Sequence, residues 1–218
     1  MGRTGPARMA PQHRRPVPAT GVEGNEKLTA MTGALLLVGF AVEGFTILSI
    51  HQLLFLHFLV GLLLIGPVLL KIGSTMYRFA RYYTGSLPYV RKGPPSLALR
   101  VLGPLVILTS VAVIGTGTVL AVVGRNATWL FLHKASFVLW FAVMTVHVLN
   151  YAPRLPRMLM SRTAAGAGGG GGAATGYSPV KPVAGRAARW LLLAVSLAVG
   201  VGVAAVTMHS SSYWGFSF

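Results

Sequence analysis

Five apolar stretches, each long enough to cross a bilayer, alternate with short polar segments along this chain. They run over about Leu28 to Leu48, Ile50 to Met76 and on towards Tyr83, Leu97 to Val123, Trp129 to Pro153, and Trp190 to Met208. About 20 apolar residues suffice for a membrane-crossing helix. The turn at Ser49 is so short that the first two spans must form an antiparallel hairpin, and Gly124 to Thr128 makes a second tight turn. The pattern predicts an all-α integral membrane protein, with a four-helix transmembrane bundle over 28–152 and a fifth C-terminal transmembrane helix over 188–209. Residues 1–27, with Pro6, Pro11, Pro16 and Pro18 among basic side chains, read as a disordered cytoplasmic tail without a cleaved signal. The run 153–187 contains Gly168 to Gly172 and reads as a flexible cytoplasmic linker, and 210–218 as a short outer tail. Gly66-Pro67 falls inside the second span, where proline frees the carbonyl four residues back and kinks the helix.

Composition narrows the function classes. Of 218 residues 54% are hydrophobic and only 10% charged, where a soluble domain has about a quarter charged. The net charge of +16 does not imply nucleic acid, because nearly all Lys and Arg lie between apolar runs, where they meet anionic lipid and set topology. Five of them precede residue 28, six lie in 71–100 and six follow the fourth span, against Arg125 and Lys134 alone on the other side. The positive-inside rule therefore puts the N-terminus in the cytoplasm and the C-terminus outside. The absence of cysteine excludes disulfides, zinc–thiolate sites, iron–sulfur clusters and covalently attached haem. With Glu23, Glu26 and Glu43 as the only acids, a carboxylate catalytic pair is hard to build.

Candidate chemistry rests on histidine. His133 and His147 stand 14 residues apart in the fourth span, almost four turns, so both leave one helix face. Ionisable residues inside a membrane helix are costly and mark functional sites by default. The second span answers with His57. Both spans run from outside to inside, and His57 and His133 lie at matching depth, as two axial ligands of one haem iron would. Gly61, one turn below His57, leaves room for a flat macrocycle, and Ser136, Phe137 and Trp140 could wall it. His51 points about 120° away from His57 and cannot share its site. A lone membrane histidine is often only bonded to a neighbouring carbonyl, which is the competing reading of each.

With its basic tail, short hairpin, early histidine in the second helix and H-x13-H in the fourth, the chain resembles the small four-helix b-type cytochromes of prokaryotic membranes. That group includes cytochrome b561-like proteins, hydrogenase cytochrome b subunits and the cytochromes accompanying flavinylated redox proteins. The resemblance covers about residues 28–152. In such proteins two histidines on each of two helices hold two stacked haems. Carried over, His57 and His133 match the outer pair and His147 one inner ligand. The fourth position is Lys71, a departure from the pattern. A neutral lysine can ligate iron, but near the boundary it more readily snorkels and stays charged. The stretch GPVLLKIGSTMYRFARYYTG around it is similar to actinobacterial membrane proteins, which suggests a degenerate member.

The expected function is membrane electron transfer through haem b, one per chain, or two if Lys71 and His147 hold a second. Such a subunit, rather than a self-contained enzyme, exchanges electrons with quinol or with an extracytoplasmic or flavin-containing redox partner. Its place is the plasma membrane of a bacterium, multi-pass in the lipid bilayer. His51 and Glu43, near the outer end, are candidates for quinol proton acceptance. The alternative is a non-haem membrane scaffold descended from such cytochromes, in which the histidines only join helices. A small transporter ranks last, for want of an internal repeat and of acids for ion coupling.

Overall fold

The computed structural model describes residues 21–93, 97–151 and 185–210. Among these every regular element is α-helical: α1 Gly21–Leu48, α2 Ile50–Leu63, α3 Ile65–Tyr83, α4 Leu87–Arg91, α5 Leu97–Val123, α6 Ala127–Tyr151 and α7 Arg186–Ser210. They supply five helical spans long and apolar enough to cross a membrane, α2 and α3 forming one of them. Most of the linker expected over 153–187, most of the tail expected over 1–27 and nearly all of 210–218 lie outside the described residues.

Helix α1 begins a full two turns before the apolar signal, at Gly21 rather than near Leu28. Glu23 in its first turn suits the positive end of the helix dipole. Tertiary contacts fix the rest of this polar start: Asn25 Nδ2 donates to the Ser74 carbonyl at 3.0 Å, and Glu26 takes Arg78 at 3.5 Å and Lys92 on its two oxygens. The turn into α6 is built locally. Gly124, at φ 81°, ends α5, and Asn126 Oδ1 caps α6 by accepting the Trp129 N–H at 3.1 Å.

Proline interrupts the second span as its missing N–H requires. The second span breaks at Leu64, three residues before Pro67. Pro67 has no N–H to give the Leu63 carbonyl, and in hydrocarbon an unmet carbonyl is costly. Helix α7 lies against this point. A Cβ built on Gly200 would stand 2.0 Å from the Leu63 oxygen, and one built on Gly66 would stand 1.8 Å from the Ser196 oxygen. The glycine hydrogens that those Cβ atoms would replace therefore point at the carbonyls, a reciprocal pair of Cα–H···O contacts that lets the helices touch backbone to backbone. The fifth span is thus docked on the bundle, with Leu193, Ser196, Ala204 and Met208 buried, the last two against Leu62.

A second cluster, Leu36, Leu64 and Val68 with Phe40, Val60 and Ile114 around it, joins α1, α2, α3 and α5. Helix α6 packs chiefly on α5 and reaches α1 through Phe40 and Trp140, whose rings are 4.8 Å apart. Many large apolar side chains point outward, Leu48 at 80% and Phe131 at 69% exposure, as lipid-facing surfaces do.

Gly66→Ala and Gly200→Ala should each lower the thermal unfolding midpoint in mild detergent, at a cost of about 1–3 kcal/mol from overpacking against backbone. Gly202→Ala, where a Cβ meets nothing within 4 Å, should be neutral or stabilising by roughly 0.5–1 kcal/mol. Equal melting of all three variants would contradict the close crossing.

Candidate functional site

The hairpin of α1 and α2 brings Glu43 and Thr46 beside His57. The Thr46 hydroxyl donates to the Glu43 carbonyl at 2.6 Å, so its proton is committed. Its oxygen, 2.8 Å from His57 Nδ1, must then accept the ring N–H, and Glu43 Oε1 shares that proton at 3.1 Å. Thr46 is wholly buried. Gly61 completes the arrangement: a Cβ there would stand 2.9 Å from Glu43 Oε1, so the missing side chain makes room for the carboxylate. The second carboxylate oxygen, Glu43 Oε2, is buried and accepts no hydrogen bond among the described residues.

His133 is held in the same manner by α5. Its Nδ1 lies 3.1 Å from the Val113 carbonyl, which can only accept, so Nδ1 carries the proton. Thr116 Oγ1 lies 3.3 Å from the same nitrogen and 3.0 Å from Ser136, whose hydroxyl returns to the His133 carbonyl. Gly117 lets the ring approach α5, since a Cβ there would be 2.8 Å from His133 Cε1.

The two imidazoles meet. Their centroids are 6.4 Å apart with planes at 72°. Each ring is anchored through Nδ1–H to an acceptor, and in the neutral form Nε2 is then the lone-pair nitrogen. That is how metal-ligating histidines are oriented. Metal–imidazole bonds are about 2 Å long, so two of them plus the two ring radii account for a separation of this size. No group of three or more His, Asp or Glu side chains that could hold a bare metal ion occurs among the described residues. A donor set of two imidazoles instead fits a group that brings its own equatorial nitrogens, which is what haem does.

The remaining sequence candidates fall elsewhere. Trp140 Nε1 donates to Ser110 Oγ at 3.0 Å, so this buried residue ties α6 to α5. Lys71 donates to the Thr29 carbonyl at 2.6 Å beside Gly33, whose missing side chain accommodates the ammonium. Ser74, three residues on, accepts from Thr29 Oγ1 at 3.0 Å, and the two helices share a polar seam. His147 lies within electrostatic range of Lys71. His51 is exposed beside the turn at Ser49. Thr46 and Val113 were not singled out as site residues by sequence reasoning, whereas Gly117 and Thr116 stand among the small and hydroxylated residues of the third span that suit close packing or a cofactor edge. The spacing of Glu43 and Thr46, three residues apart in an otherwise apolar stretch, was the available signal for the first.

No family model matches this chain. Comparison with curated proteins and with solved structures finds no match either.

Thr46→Val keeps the shape but removes the acceptor of the His57 N–H and the donor to the Glu43 carbonyl. It should cost about 1–3 kcal/mol in detergent unfolding, and Thr46→Ser should recover most of it. A silent Thr46→Val would mean that the hydroxyl does not hold the ring.

Proposed function

We propose that the chain is an electron-transfer protein of a bacterial plasma membrane that holds one b-type haem between His57 and His133. The observation that carries this reading is the pair of imidazoles 6.4 Å apart, each bonded through Nδ1 to a neighbouring helix. When bound, the haem supplies one-electron chemistry. The protein's part is to fix and tune the ligands. Glu43 and Thr46 hold the His57 ring on α1, and the Val113 carbonyl holds His133 on α5. A carboxylate on the far side of a ligating imidazole makes that ligand more basic. Glu43 Oε2, buried and unbonded among the described residues, can take up a proton to offset added charge.

The basic end of the bundle, where Glu26, Arg78 and Lys92 meet, faces the cytoplasm in this reading, so the histidine pair lies towards the outer face. That position supports exchange with quinol or with an extracytoplasmic or flavin-containing redox partner. Lys71, bonded to Thr29, serves the α1–α3 contact rather than a second haem.

The second reading is a non-haem scaffold. It draws on the same bonds, since His57 joins α2 to α1 and His133 joins α6 to α5 without any cofactor.

Oxidised and dithionite-reduced optical spectra, with haem quantified per chain, decide between them. The expected result is one b-type haem, lost in His57→Ala and in His133→Ala and retained in Lys71→Ala and His147→Ala. Glu43→Gln should keep the haem and raise its midpoint potential by on the order of 60 mV, a tenfold change in a one-electron equilibrium, because a carboxylate stabilises the ferric state. Absence of haem from cells supplied with precursor would leave the scaffold reading.

A further inference from the structure

Helices α1 and α7 run in the same direction from the basic end, where Gly24 and Arg189 are neighbours. Below that point they touch only sparsely. Between them lies an open groove of about 430 Å³, lined by Met31, Ala34 and Leu35 on α1 and by Trp190, Ala194 and Leu197 on α7. The lining is almost wholly apolar.

The mouth of the groove is different. Lys27 precedes Met31 by four residues and Arg186 precedes Trp190 by four. Each therefore continues a groove-lining stripe by one turn towards the basic end. Both are exposed, and neither is paired with an acid among the described residues. Arg189 is buried beside Gly24, and the acid on this stripe of α1 is Glu23, a further turn out. Two cations at the membrane boundary above an apolar trough are complementary to one amphiphile in particular.

We propose that this groove is a binding site for an anionic phospholipid of the basic-side leaflet, one acyl chain lying between α1 and α7 and the phosphate between Lys27 and Arg186. The headgroup charge is what selects the occupant, since a zwitterionic lipid or a quinone would fill the trough without using the cations. The lipid links the start of α1 to α7 where the helices themselves make little contact. This site is independent of the histidine pair.

The test uses the full chain purified in neutral detergent. Phosphatidylglycerol, phosphatidylcholine and a menaquinone are added in turn, with the thermal unfolding midpoint and lipid retention by native mass spectrometry as readouts. Phosphatidylglycerol is expected to be retained at about one per chain and to raise the midpoint, with phosphatidylcholine and menaquinone having little effect. Lys27→Gln with Arg186→Gln should weaken retention roughly tenfold or more, and Ala194→Phe, which fills the trough, should abolish it. Arg125→Gln with Lys134→Gln, at the other end, should change nothing. If Ala194→Phe fails to fold, the exposed-charge variants decide alone. Equal stabilisation by phosphatidylcholine, a response to menaquinone alone, or retention unaffected by Lys27→Gln with Arg186→Gln would each overturn the proposal.

Discussion

A peptide group that reaches hydrocarbon without a partner costs several kcal/mol, and the placing of helices in this protein follows from meeting that demand. Pro67 removes one donor from the middle of a span. The Leu63 carbonyl left over is met by the bare Cα of Gly200, and this is why the fifth span is part of the bundle rather than a tether beside it. A van der Waals seam alone would tolerate alanine at 200; a carbonyl to be covered at contact distance does not. The same crossing fixes Gly66 against Ser196, so one proline sets the line of approach of two helices.

Side chains obey the same rule. Thr32 and Thr109 return their hydroxyls to the carbonyl four residues back, and Thr46 does so three residues back. Lys71, with the strongest demand, reaches a backbone oxygen on α1, and Trp140 reaches Ser110 on α5. Each of these bonds satisfies a donor and also sets helix rotation. Glu43 Oε2 departs from this rule, as the Tyr89 hydroxyl does: each is buried and makes no hydrogen bond among the described residues. A buried carboxylate oxygen without a hydrogen bond, beside a histidine, asks for an explanation beyond packing.

The spans were legible because length and apolarity decide them, and the break at Pro67 because proline's missing N–H is a local fact. The start of α1 was not. Gly21 to Lys27 carries no apolar signal, and its helix is held by Ser74, Arg78 and Lys92, which lie 49, 52 and 66 residues from their partners. The meeting of His57 and His133 could be read by counting depth along two spans of equal direction. What grips the rings could not, because a threonine hydroxyl or a valine carbonyl looks the same in sequence whether or not a neighbouring helix brings an imidazole to it. Gly61 shows the limit well: its smallness was legible, but the Glu43 carboxylate that takes the space was not.

Helix α6 depends on its partner more than any other span. It rests chiefly on α5, and its path is set at one end by the Asn126 cap and along its length by Ser110, Val113 and Thr116 on the facing helix. His133 is therefore positioned by α5, and His57 by α1. The two halves of the site belong to two hairpins, α1–α2 and α5–α6, and neither hairpin contains both imidazoles. The separation of 6.4 Å is thus a property of how the hairpins pack through Phe40, Trp140 and Ile114. A ligand bridging the rings would gain from that packing and in turn hold it, so occupancy of the site and cohesion of the hairpins are linked in free energy.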